Sequence, residues 1–258
     1  MMMIDRYAHE SPLKSIDPVN KLVFVLILLA LSLTGNSWLL CLLISLSLPL
    51  VVILKGQVRI KDYGKLLLLP LTFLLMGLIV ILISIQKDAI NLLFYLQIGS
   101  FYLGITSAGL QMTLLLFCKA LASVNCLYFL ALTTPLTELC QALRRLHVPS
   151  LFVEIAELSY RFIFVFLYTS EKMYKAQSCR LGYMGYKNSL HSMGLLVSRI
   201  FIVAYHKADT VFNALEARNY QGELRTLPMT YPSQKLFISL MSIYCLAISC
   251  VWLGERLL

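Results

Sequence analysis

Residues 150–182 read SLFVEIAELSYRFIFVFLYTSEKMYKAQSCRLG, and residues 189–222 read SLHSMGLLVSRIFIVAYHKADTVFNALEARNYQG. Each stretch runs from a serine to an arginine followed by small or turn-forming residues. Serine at Ser150 and near Ser189 is a good N-cap, because its hydroxyl can accept a hydrogen bond from an orphan first-turn amide. Glycine or asparagine suits the far end, because either tolerates the left-handed conformation that stops a helix. Two helices of about 30 residues are expected, each roughly 45 Å long at 1.5 Å per residue. Both close on one phrase: Ala176-x-x-x-Arg180 then Gly182, and Ala214-x-x-x-Arg218 then Asn219 and Gly222. Two long helices that end alike in an arginine read as a docking device.

Residues 151–168 are apolar enough to suggest a membrane span. However, Glu154, Glu157 and Arg161 fall at i, i+3 and i+7, one stripe along a helix face. Three charges in one span are expensive in lipid. Residues 135–232 carry eleven basic and seven acidic side chains. That composition suits amphipathic helices at or below the cytoplasmic surface, with one apolar side against the membrane part.

The rest of the chain sets this region in a membrane context. At 258 residues, 59% hydrophobic and 14% charged, with mean hydropathy +0.78, it is too apolar for an ordinary soluble domain. The net charge of +9 does not argue for nucleic acid, since the basic residues lie between apolar runs and form no stripe with interleaved aromatics. Basic loops between spans explain it better.

The start, MMMIDRYAHESPLKSIDPVNK, is polar and mixed in charge, so no cleaved signal is expected. Apolar runs follow at 22–34, 38–54, 66–85, 106–132 and 236–253, the third long enough to cross outright. A shorter run at 90–103 reads as a re-entrant or interfacial piece. Arg6, Lys14 and Lys21 before the first run, and Lys55, Arg59, Lys61 and Lys65 after the second, place those segments in the cytoplasm. The expected fold class is all-α: a polytopic membrane protein of about five spans plus long amphipathic cytoplasmic helices. The expected parts are an N-terminal membrane part (1–134, four spans), cytoplasmic coupling helices (135–232) and a C-terminal span (233–258).

Several short phrases together resemble one family. They are Ile4-Asp5-Arg6-Tyr7 with Asp17-Pro18 and Lys21, Tyr128-Phe129-Leu130-Ala131-Leu132-Thr133-Thr134-Pro135, and Leu143-Arg144-Arg145-Leu146-x-Val148-Pro149. Tyr160-Arg161-Phe162-Ile163, Ala176-Gln177-x-x-Arg180-Leu181-Gly182-Tyr183 and Ala214-Leu215-Glu216-Ala217-Arg218-x-Tyr220-x-Gly222-Glu223-Leu224-Arg225 complete the set. In this order they resemble the transmembrane coupling (T) component of energy-coupling factor (ECF) transporters, in its CbiQ branch from cobalt uptake.

The resemblance implies a non-catalytic subunit of an ATP-driven importer for cobalt or nickel, multi-pass in a bacterial or archaeal cytoplasmic membrane. It implies as partners two cytosolic ABC ATPases and a CbiM-like substrate-capture membrane subunit, with a small CbiN-like subunit left open. The two long helices would cross and present Ala-Arg-Gly-like motifs to grooves on the ATPases. Ala217-Arg218-Asn219 matches with asparagine in place of the family's glycine. Cys179-Arg180-Leu181 keeps only the central arginine, with Gly182 one place later. Arginine suits the task, because its rigid fork of donors fits carboxylates and backbone carbonyls in a groove. A lone arginine in such a place would cap its own helix; the repeated phrase and the resemblance favour docking.

Other chemistry finds little support. No Walker loop is present, so any ATP is hydrolysed elsewhere, and no cofactor is implied. No nucleophile–base set or His-Glu-x-x-His helix points to a hydrolase. A self-sufficient secondary transporter would show duplicated halves, and the only internal echo is in the two long helices. The seven cysteines lack Cys-x-x-Cys spacing, and His147, His191 and His206 have no histidine at i+4, so no metal site is expected. His9 lies near Asp5 and Glu10. Lys119, near the middle of a span, must pair within the chain or with a partner.

Overall fold

A computed structural model of the chain describes residues 3–35, 37–82, 84–86, 92–98, 101–220, 222, 231 and 235–257. In chain order the helices are α1 (Met3–Glu10), α2 (Pro18–Thr34), α3 (Trp38–Leu54), α4 (Ile60–Leu82), α5 (Ser107–Thr133), α6 (Leu136–Arg145), α7 (Ser150–Cys179), α8 (Tyr186–Glu216) and α9 (Lys235–Leu257). A 3-10 turn, Pro12–Ser15, separates α1 from α2. The described residues divide into two compact units, one within 140–229 and the other within 2–139 and 230–258.

α5 is the centre of the larger unit. Its Ala122, Cys126, Phe129 and Leu132 recur at helical spacing and are buried against Phe24, Leu28, Leu40, Ile44 and Val52 of α2 and α3. Phe24 meets Phe129 edge to face at 5.8 Å and lies 6.0 Å from Tyr244, which joins α9 to the same core. Buried Asn125 binds three helices: it donates to Ser45 O (3.0 Å) and accepts from Tyr63 OH (2.7 Å). A polar side chain inside an apolar bundle is tolerable because its hydrogen bonds are made.

α4 has a different surface. Leu69, Phe73, Met76 and Val80 are all more than two-thirds exposed and recur at helical spacing, so one face of the helix is a continuous stripe of bare hydrocarbon. α4 and residues 109–133 of α5 are long and apolar enough to cross a membrane; α2, α3 and residues 239–250 are shorter apolar helices.

One small sheet is the departure from an all-α chain. β1 (Ser84–Gln86), β2 (Leu92–Ile98) and β3 (Phe101–Thr106) pair antiparallel in the order β1-β3-β2, with Ser84 opposite Gly104 and Leu96 opposite Leu103. The run at 90–103 therefore supplies strands, and α4 ends at Leu82, short of 85. Phe94, Tyr95, Phe101 and Tyr102 favour extended backbone, and 14 residues are few for a crossing helix. Residues 87–91, 99 and 100 of that stretch lie outside the described residues, as do 223–230 at the end of the sequence resemblance.

α7 and α8 make up most of the smaller unit. Ser150, expected as the N-cap, is instead the first residue of α7; Pro149 takes the cap position, and no side chain caps this helix start. α8 begins at Tyr186 and not at Ser189, because Gly185 (φ +80°) turns the chain early. The Ser189 hydroxyl donates to Tyr183 O (3.1 Å) and Gly185 O (2.8 Å) and so braces that turn.

Candidate functional site

The two arginine-bearing ends close in the same way. At the end of α7 the amide of Leu181 donates to Ser178 O (3.0 Å) and that of Gly182 to Gln177 O (2.9 Å). At the end of α8 Asn219 donates to Glu216 O (3.0 Å) and Tyr220 to Leu215 O (3.1 Å). Both are Schellman closures, in which one residue turns left-handed and its own amide and the next one satisfy carbonyls that the helix leaves open. Arg180 and Arg218 each sit one residue before the left-handed position, and both side chains are exposed.

The left-handed residues are Leu181 (φ 60°) and Asn219 (φ 56°). Asn219 fulfils the sequence expectation, since asparagine tolerates this region. Gly182 does not hold the left-handed turn expected of it. It serves close approach instead: a Cβ there would lie 2.8 Å from Ser192 Oγ and 3.0 Å from Gln177 O. Gly222 (φ +90°) has open space around it. Ala176, Ala214 and Ala217 are exposed beside the two arginines.

Residues that drew no role from sequence hold the first tip. Ser192 Oγ donates to Gly182 O (2.7 Å), Gln177 Nε2 to Ser192 O (3.1 Å), and Tyr183 OH to Gln177 Oε1 (2.7 Å). The Tyr183 ring packs on Tyr174 at 4.7 Å. This local net rests on residues 174–192 alone and fixes the turn that presents Arg180.

The second tip is held differently. Tyr220 OH donates to Glu154 Oε2 (2.7 Å) in the first turns of α7. Arg144 Nη2 lies 4.0 Å from Glu154 Oε1 and 3.6 Å from Glu157 Oε2. The acidic stripe read from sequence is thus countered by Arg144 of α6, while Arg161 stays exposed. Burying Glu154 at 3% exposure is affordable only with such partners.

These contacts fix the relation of the two helices. The 180–185 turn joins them at one end and the Tyr220–Glu154 bond at the other, so they run antiparallel. Glu154 and Arg180 are 26 residues apart on α7. Arg180 and Arg218 therefore stand at opposite ends of the pair, roughly 40 Å from one another at 1.5 Å per residue.

In the larger unit, phrases over a hundred residues apart meet. Lys21 is fully buried and its ammonium donates to Thr133 O (2.9 Å) and Thr134 Oγ1 (3.4 Å) at the end of α5. A cation there complements the negative end of the helix dipole. Lys14 Nζ lies 3.8 Å from the buried Glu138. Burial lifts the Glu138 carboxyl above its ordinary range, against the opposing pull of Lys14, Lys21 and His9. Lys119 donates to Leu33 O (3.1 Å) near the end of α2, so it pairs within the chain.

All seven cysteines are free thiols, with Cys179 and Cys250 exposed. His9 Nε2 lies 3.7 Å from Asp5 Oδ1, one turn away on α1. Among the described residues, no group of three or more His, Cys, Asp or Glu side chains comes together to hold a metal.

Comparison with known proteins identifies this architecture. The family model described as CbiQ, cobalt transport protein, matches residues 9–228. A cobalt transport protein CbiQ from Rhodobacter capsulatus is 31% identical over 237 residues, 92% of each chain. A fused cobalt transport protein named CbiMQ, from Methanocorpusculum labreanum, is 33% identical over 245 residues; these are 92% of this chain but only 41% of that longer relative. The energy-coupling factor transporter transmembrane protein EcfT of Listeria innocua is 26% identical over 265 residues, 93% and 94% of the two chains. A helical membrane protein with these relatives is a component of an ECF-type transporter. Within that class the chain belongs to the CbiQ family of cobalt transport proteins.

Proposed function

We propose that this chain is the non-catalytic coupling subunit of an ATP-driven cobalt or nickel importer. It joins two cytosolic ABC ATPases to a separate membrane subunit that captures the metal. The observation that carries this reading is the pair of matching helix ends. Arg180 and Arg218 occupy the same step of two Schellman closures, exposed, at opposite ends of one antiparallel pair. Two equivalent cationic tips roughly 40 Å apart suit two equivalent partners better than one. Each guanidinium would enter a groove and meet carboxylates or carbonyls there, while the antiparallel pair carries the ATPases' motion back as a rigid body.

On this reading α2, α3, α4, α5 and α9 make five crossings, and the basic loops support an orientation with the N-terminus and residues 135–232 in the cytoplasm. The exposed Glu171–Lys175 pair (2.7 Å) and the cation–π contact of Lys172 with Tyr168 (4.3 Å) suit a solvated α7. On α8, Leu190, Met193, Val197, Phe201, Tyr205 and Phe212 recur at helical spacing and are each more than half exposed. That apolar stripe suits contact with the lipid surface or the capture subunit. A CbiM-like capture subunit is supported by the Methanocorpusculum labreanum relative, whose name joins the two in one chain.

The test is pull-down of the ATPases with Arg180→Ala, Arg218→Ala and the double variant, beside labelled cobalt uptake in cells. Each single change should weaken assembly, and the double change should abolish assembly and uptake while the chain still inserts. Full ATPase retention by the double variant would reduce both arginines to helix caps.

A further inference from the structure

The two tips are built alike and held differently. The first is secured inside the α7–α8 turn by neutral groups, Gln177, Tyr183 and Ser192. The second is secured at a distance through charge. Arg144 on α6 stands against Glu154 and Glu157, and Glu154 passes the connection to the Tyr220 hydroxyl at 2.7 Å. Tyr220 also supplies the amide that closes α8 on Leu215 O, two residues past Arg218. One residue is therefore the last link of the helix closure and the last link of the polar chain.

We infer that Arg144, Glu154 and Tyr220 are positioning residues for Arg218, setting the direction in which the second tip offers its guanidinium and leaving the first tip alone. This rests on the reading of Arg218 as an ATPase anchor. The Tyr220–Glu154 bond is charge-assisted and its carboxylate is buried, so it is stronger than an exposed neutral pair. A tip pinned at the base of α7 responds to any displacement of Arg144. The first tip receives the same displacement only through the whole length of α7. The two ATPases would thus be held by arginines with unequal mechanical ties.

Tyr220→Phe tests this, because it removes one hydroxyl and leaves the Arg144–Glu154 pair in place. Binding is read by titrating the purified ABC ATPase of the same transporter onto the detergent-solubilised chain. In an Arg180→Ala background, where only the second tip remains, Tyr220→Phe should weaken binding about tenfold, the loss of one hydrogen bond to a charged group. In an Arg218→Ala background it should change nothing. Amide hydrogen exchange on the chain alone should quicken at Asn219 and Tyr220 and stay unchanged at Leu181 and Gly182. Equal weakening in both backgrounds, or unaltered exchange at Tyr220, overturns the positioning role while the arginine reading stands. Full ATPase binding by the Arg180→Ala/Arg218→Ala double variant overturns the arginine reading and this inference with it.

Discussion

Replacing Leu181 by glycine should stabilise the α7–α8 turn, and replacing Gly182 by alanine should destabilise it. Leu181 holds φ 60° with its side chain largely exposed, so it bears left-handed strain with little packing in return. That strain costs about 1–2 kcal/mol in an L-residue, and glycine's extra unfolded-state freedom takes back about 0.5–1 kcal/mol. Leu181→Gly should therefore gain roughly 0.5–1 kcal/mol, or about 2–4 °C per kcal/mol in a thermal melt of a chain this size. At Gly182 the new methyl would lie 2.8 Å from Ser192 Oγ and 3.0 Å from Gln177 O. The Gln177 carbonyl accepts the closing bond of α7 and cannot yield without loosening it. The Ser192 hydroxyl can rotate away only by abandoning Gly182 O, which leaves it buried and unpaired. The expected loss is about 1–3 kcal/mol, and Ser192→Ala in the same chain should restore part of it. Thermal melts in detergent, with hydrogen exchange localised to 177–192, give both numbers. A neutral Gly182→Ala beside a harmful Leu181→Gly would refute the reasoning, because neither the close approach at 182 nor the left-handed strain at 181 would then be present.

Three further outcomes follow from the same contacts. Lys21→Met should lower stability by about 1.5–3 kcal/mol in detergent melts, because a buried ammonium that caps α5 through Thr133 O is replaced by an apolar group of similar size. Glu138 has a raised carboxyl pKa, so its stability contribution is full below its unfolded value near 4.5 and fades as pH rises through its higher folded value. Glu138→Gln should flatten the pH dependence of the melt across that window, and an unchanged profile would remove Glu138 from the account. A cysteine in place of the exposed Lys187 should resist an impermeant thiol reagent in intact cells and react after lysis; reaction from outside would reverse the proposed orientation.

The long helices and their arginines were legible in the sequence because helix ends are set locally, by residues within one turn. Asn219 could be read as a left-handed stop on its own identity. Leu181 could not, because leucine rarely takes that conformation and the glycine beside it is the residue to which the turn is naturally assigned. The stripe of Glu154 and Glu157 was visible, but its partner Arg144 was not, since pairing across α6 and α7 depends on how the chain turns at His147 (φ 61°). Lys21 and Thr133 stood out only as separate phrases, and their contact spans 112 positions. The sheet at 84–106 was missed because hydropathy alone does not separate a short apolar helix from two strands. The aromatic pairs Phe94-Tyr95 and Phe101-Tyr102, flanking Gly99-Ser100, were the signal that could have found it.

The proposal that one arginine tip holds one ATPase is tested most directly by counting ATPases per chain. Native mass spectrometry of the detergent-purified assembly should find two ATPase subunits on the wild-type chain. It should find one on Arg180→Ala, one on Arg218→Ala, and none on the double variant. Two ATPases retained by the double variant would contradict the account.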